Sequence, residues 1–95
     1  MTLAIKDNIH VPGLPDTAGA PPLKNFIPTA NAPVAQKLID AGAIVLGKTN
    51  MHELAFGNTT NNGGFGAAGN AYDPTRFPGG SSGGTGSAYG AGRIG

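Results

Sequence analysis

Lys6, Ser81 and Ser82 are the residues whose types and settings could do chemistry together. Lys6 follows the apolar run Leu3-Ala4-Ile5, and a cation at the end of a buried strand is costly unless it is paired or neutral. Ser81 and Ser82 lie between two glycine pairs, Gly79-Gly80 and Gly83-Gly84, where the backbone can take unusual dihedrals and approach another group closely. A serine hydroxyl is a poor nucleophile at its free pKa and needs a base. A lysine can be that base where burial favours its neutral amine. Taken alone, the glycine-serine stretch would read as a flexible linker. A third feature argues against that: Met51-His52-Glu53-Leu54-Ala55-Phe56-Gly57 reads as a short helix running into loop, with Asn50 and Glu53 spaced as a capping box.

Other patterns fail on their context. Gly64-Phe65-Gly66-Ala67-Ala68-Gly69 has the spacing of a dinucleotide fingerprint, but that motif needs a strand before it and a helix after it. Here Asn61-Asn62-Gly63 precedes and Asn70-Ala71-Tyr72-Asp73-Pro74 follows. The run Gly79 to Thr85 lacks the lysine that a P-loop places before its hydroxyl residue. His52-Glu53 begins like a zinc-binding H-E-x-x-H, but Phe56 stands where the second histidine belongs. His52 then reads as a partly exposed helix residue, and no metal is implied.

The elements that must position these side chains are an α/β set. Thr2 to Ile5 reads as a buried strand ending at Lys6, and residues 9–28 as loop, with Pro12-Gly13, Pro15, Pro21, Pro22 and Pro28 as its breaks. The spacing predicts a helix over Ala32 to Ala41, capped by Asn31, with Pro33 in its first turn. Val34, Leu38 and Ala41 form its inner face, and Gly42 follows as the C′ residue. Ala43-Ile44-Val45-Leu46 reads as a second strand, apolar on both faces as covered parallel strands are. Strand, helix, strand is one βαβ unit. Residues 57–80 read as glycine-rich loop, and a last helix begins after Gly84.

Composition narrows the partners. Seventeen glycines and eight prolines make about a quarter of the 95 residues. Charged residues are 12%, with a net charge of +1 and no block of like sign. Neither a nucleic-acid surface nor a membrane-surface helix is expected from that pattern. The longest apolar stretch, Ala43 to Leu46, is far short of the ~20 residues that span a bilayer. No secretory leader is expected after Met1. The absence of cysteine excludes a disulfide scaffold and a thiolate zinc site, and fits a cytoplasmic protein. The length allows one domain, and residues 1–95 read as part of one.

Together these stretches resemble the amidase signature family, whose members hydrolyse amides with a Ser–cis-Ser–Lys triad. The resemblance rests on Ala4-Ile5-Lys6-Asp7-Asn8, on Ala41-Gly42-Ala43-Ile44-Val45-Leu46-Gly47-Lys48-Thr49-Asn50, and on Pro78-Gly79-Gly80-Ser81-Ser82-Gly83-Gly84. Gly69-Asn70-Ala71-Tyr72-Asp73-Pro74 matches a turn that members place before the serine motif. The order and spacing match from Leu3 to about Thr85. Residues 51–57 lean toward members similar to indoleacetamide and mandelamide hydrolases.

The resemblance implies a partial amidase signature domain, running from the lysine strand to the cis-serine loop: a mixed sheet core flanked by helices, with one βαβ unit and long Gly-rich loops. It implies Lys6 as the triad lysine and Ser81 as the bridging serine, with the cis peptide at Gly80–Ser81 and Ser82 supporting the same network. It places Ala55, Phe56 and Gly57 along the substrate pocket. It implies a small-molecule amide as partner, no cofactor, and a full-length parent that can form homo-oligomers.

The family's acyl-forming serine lies in a Gly-Gly-Ser element one helix and one strand further on. This chain is therefore expected to hold two triad members and to be inactive alone, as an N-terminal-to-central fragment or truncated product. The family also includes the amidase subunit of the tRNA-dependent amidotransferase, which usually carries an acidic residue where His52 stands. Gly86, Gly90 and Gly92 punctuate a helix that is alanine-rich in the family, and fraying is expected near Gly92-Arg93.

Overall fold

The computed structural model describes residues 1–93. Two parallel strands, β1 (Thr2–Lys6) and β2 (Ile44–Thr49), flank a connection that carries a 3-10 turn (Pro21–Leu23) and helix α1 (Pro33–Asp40). A second 3-10 turn (Glu53–Ala55), a two-residue hairpin of β3 (Asn61–Asn62) and β4 (Gly66–Ala67), and helix α2 (Gly83–Gly90) follow. This is the α/β arrangement and βαβ unit read from the pattern of apolar runs.

The strand pairing carries one irregularity. Leu3 lies opposite Val45 but Ala4 lies opposite Gly47, so Leu46 is an extra residue in β2. Beyond it Ile5 faces Lys48 and Lys6 faces Thr49. β2 thus runs past the apolar stretch into Lys48 and Thr49, three residues further than its hydropathy predicts. Its expected cover on both faces is not found among the described residues: Val45 packs toward the core, while Ile44 and Leu46 stay exposed.

Helix α1 begins at Pro33, whose missing N–H costs nothing in the first turn. Its N-cap is Ala32, not Asn31. The Asn31 amide instead donates to Gln36 Oε1 at 2.9 Å, and Gln36 donates on to Asp40. The C-terminus is as expected, with Gly42 in the left-handed region at φ 97°. The Gly42 N–H reaches the Ile39 carbonyl and the Ala43 N–H reaches that of Leu38, a Schellman closure. Ala35 is the innermost side chain, fully buried with Ile5 and Val11, while Ile9, Leu14, Ala32 and Val45 pack around them. Val34, Leu38 and Ala41, expected to form the inner face, remain exposed, the first two beside an open groove.

Two further expectations are corrected. The short helix over Met51 to Phe56 is a 3-10 turn in which Leu54 (φ 52°) and Ala55 (φ 59°) are left-handed. Asn50 does not cap it: its Oδ1 accepts the Met51 N–H and its amide donates to the Gly66 carbonyl. Helix α2 does not fray at its described end. The Gly92 and Arg93 N–H groups close on the carbonyls of Tyr89 and Ala88, a second Schellman closure.

Candidate active site

β1 delivers Lys6 to the site. Its backbone is held on both sides: the Asp7 N–H continues the strand pairing to the Thr49 carbonyl at 3.1 Å, and the Ile9 N–H turns back onto the Lys6 carbonyl at 3.0 Å. The carboxylate nearest in sequence, Asp7, is taken up elsewhere. Lys48 Nζ lies 3.3 Å from Asp7 and 3.5 Å from the buried Asp16, and donates to the Pro15 carbonyl at 3.2 Å. The Thr17 hydroxyl also donates to Asp7. Lys6 therefore forms no ion pair among the described residues. Its amine donates to Ser81 Oγ at 2.6 Å, across 75 positions of sequence.

The serine loop is wedged between two strips of backbone. From one strip, the His52 N–H donates to the Ser81 carbonyl at 3.0 Å and the Asn50 carbonyl accepts the Gly84 N–H at 3.0 Å. From the other, the buried Thr60 hydroxyl contacts Gly79 and Gly83. The glycines are required by these contacts. A Cβ on Gly80 would lie 2.7 Å from the carbonyl carbon of Asn58, and one on Gly84 would lie 2.5 Å from the Asn50 oxygen, both inside van der Waals contact. The peptide bond between Gly80 and Ser81 is cis. Ser82 is the N-cap position of α2; its carbonyl accepts the Gly86 N–H at 3.0 Å.

Helix α2 lies against β1 and β2, and a side-chain contact adds to the Gly84–Asn50 backbone bond there. The hydroxyls of Thr49 and Thr85 meet at 2.6 Å, tying the end of β2 to the first turn of α2. Beside Lys6 a groove of about 300 Å³ opens, lined by Leu3, Ile5, Val34, Leu38, Ser82 and Thr85 among others. Its walls are mostly hydrocarbon.

The structure thus brings Lys6 and Ser81 into contact and sets Ser82 and Gly80 in the same loop. It does not bring Ala55, Phe56 and Gly57 to them. Those three line a separate shallow depression with Asn58, and the Phe56 side chain is 91% exposed. Three contributors were not singled out from the sequence. Lys48 could have been, since like Lys6 it follows an apolar run. Thr60 and the Thr49–Thr85 pair carry no sequence signal, because each depends on contacts between distant segments.

The parallel βαβ unit, with Lys6 at the end of its first strand and bonded to a serine of the glycine loop, joins the motifs that carry the resemblance to the amidase signature family. Comparison with known proteins agrees. Residues 1–94 match the Amidase family, and the chain belongs to that family. It is 50% identical over 92 residues to the A subunit of glutamyl-tRNA(Gln) amidotransferase from Methanosarcina mazei, a match covering 97% of this chain and 19% of that protein. It is 52% identical over 94 residues to mandelamide hydrolase of Pseudomonas putida, covering 94% of this chain and 18% of that one. Among solved structures, the A subunit of glutamyl-tRNA(Gln) amidotransferase from Thermotoga maritima superposes with a TM-score of 0.95 at 39% identity, over 99% of this chain and 21% of its own. The chain spans about a fifth of the length of these relatives.

Proposed function

We propose that the polypeptide carrying these residues hydrolyses a linear carboxylic amide to the acid and ammonia or an amine, with Lys6 as base and Ser81 as proton relay. The attacking serine lies beyond residue 95 in this reading. The observation that carries it is the 2.6 Å hydrogen bond between Lys6 Nζ and Ser81 Oγ, in a setting where Lys48 has already engaged the neighbouring carboxylates.

The proton path works in both directions. As the attacking oxygen adds to the carbonyl carbon, its proton passes to Ser81 Oγ while the Ser81 proton passes to the Lys6 amine. The carbonyl π pair moves onto oxygen, where backbone N–H groups stabilise it. The adduct collapses by breaking the C–N bond, and the leaving nitrogen takes a proton returned along the same path. Water then attacks the ester with the same assistance, releasing the acid and restoring the serine. Base assistance of this kind contributes roughly 10²–10⁴-fold, and the steps require no cofactor. A cytoplasmic location accords with the cysteine-free composition.

The identity to mandelamide hydrolase supports a small-molecule amide as substrate. A similar identity, 50% against 52%, to the Methanosarcina mazei protein supports a second reading, the amidase component of a tRNA-dependent amidotransferase. Glutaminase activity that depends on partner subunits decides for the second.

In the whole polypeptide, Lys6→Ala and Ser81→Ala are each expected to lower kcat by at least ~10²-fold while substrate still binds. The check is steady-state kinetics on mandelamide and glutamine. Turnover kept within about twofold in Lys6→Ala contradicts the proposal.

A further inference from the structure

Thr60 is fully buried and lies in the left-handed region at φ 53°. A β-branched residue adopts that conformation only where its surroundings hold it there. Its carbonyl accepts the Ala68 N–H at 3.2 Å, and its hydroxyl is used twice. Thr60 Oγ1 donates to the Gly79 carbonyl at 2.7 Å and accepts the Gly83 N–H at 3.0 Å. These two contacts bracket Ser81 symmetrically, two residues away on either side. The fit leaves no slack: a Cβ on Gly83 would lie 2.1 Å from the same Thr60 oxygen.

We propose that Thr60 is a positioning residue for Ser81, its hydroxyl pinning both ends of the serine loop and so setting Ser81 Oγ against Lys6 Nζ. The proposal rests on the reading of Ser81 as proton relay. The Thr60 hydroxyl hydrogen-bonds Gly79 and Gly83 rather than Lys6 or Ser81, so it acts through the loop. The task needs one atom that both donates and accepts, which a hydroxyl supplies and a methyl does not. Valine matches threonine in shape but would leave the Gly79 carbonyl and the Gly83 N–H without their partner. A loop that relaxes to recover those bonds moves Ser81, and a misplacement of ~1 Å can cost about 10²-fold in rate.

The test uses the whole polypeptide with mandelamide as probe, alongside crystal structures of the parent and the variants. Thr60→Val is expected to lower kcat about 10²-fold with KM little changed, and to lengthen the Lys6 Nζ–Ser81 Oγ separation. Thr60→Ser, which keeps the hydroxyl, is expected to stay within about threefold of the parent. If Thr60→Val fails to fold, Thr60→Ala is read in the same way. A Thr60→Val enzyme with parental kcat, or with the Lys6–Ser81 contact unmoved, overturns the proposal. Ser81→Ala separates the two claims. Turnover kept in Ser81→Ala defeats the relay reading, whereas its loss there beside full turnover in Thr60→Val defeats only the positioning role. The structures report on positioning even where mandelamide is not turned over.

Discussion

Lys6 and Lys48 follow apolar runs on neighbouring parallel strands, yet they meet different partners. Lys48 pairs with Asp7 and Asp16 and bonds the Pro15 carbonyl; Lys6 finds the Ser81 hydroxyl. The need of Lys6 for a partner was legible from the apolar run before it, although only Ile5 of β1 is buried and the other residues of the strand are half-buried. Which lysine takes the carboxylates was not, because Asp16 reaches Lys48 only when the proline-broken loop folds back over β2. The glycines of the serine loop show a similar split. Their number announced close approach, but only the structure separates those that are needed. Gly84→Ala drives a methyl into the Asn50 backbone and is expected to destabilise by about 1–3 kcal/mol. At Gly86 the nearest atom to an added Cβ is 3.7 Å away. Gly86→Ala is therefore expected to stabilise α2 by up to about 1 kcal/mol. Denaturant unfolding of both variants checks the contrast, and an equal effect of the two contradicts it.

At the scale of elements, β1, β2, α1 and the Gly42 stop were readable because each is local: an apolar run, a 3.6-residue period, a proline and a glycine at the ends. The segment from 50 to 56 was not, and within the loop read over 57–80 the structure adds the short β3–β4 hairpin. Asn50 and Glu53 have capping-box spacing, but the Asn50 side chain is spent on Met51 and Gly66, and the chain instead makes a left-handed 3-10 turn. Further on, the loop over 70–77 is built by two side chains. Asn70 Oδ1 accepts the N–H groups of Tyr72 and Asp73, and Asp73 accepts from Thr75 and Arg76. The hydroxyl of Thr75, then its backbone N–H, and to a smaller extent Arg76 hold the Asp73 carboxyl below the usual carboxylate range. A carboxyl whose folded pKa is lowered stabilises the folded form above its unfolded pKa, and that contribution fades as pH falls through the lowered value. The Thr75 amide resonance is accordingly expected to shift with an acid midpoint lower than that of an unperturbed aspartate. In Asp73→Asn this acid transition should vanish. A midpoint at or above the ordinary aspartate value contradicts the assignment.

For the molecule as a whole, the site is a meeting of chain segments far apart in sequence, and the core that supports it is small. Ile5, Val11 and Ala35 are its buried centre, while Val34, Leu38, Ile44 and Leu46 stay exposed. The family resemblance was legible from three motifs in order; the depth of the fold around them was not, since the chain spans only about a fifth of its relatives. Ala55, Phe56 and Gly57, which the resemblance places along the substrate pocket, lie with Asn58 in a shallow depression apart from Lys6 and Ser81. The central claim is that Lys6 and Ser81 act as one proton path. Groups that act as a unit give non-additive losses. The most direct test is a double-mutant cycle of kcat in the whole polypeptide, comparing Lys6→Ala, Ser81→Ala and the two combined. The account predicts that the double variant is no slower than the worse single one. Losses that multiply, each residue costing the same with or without the other, would contradict it.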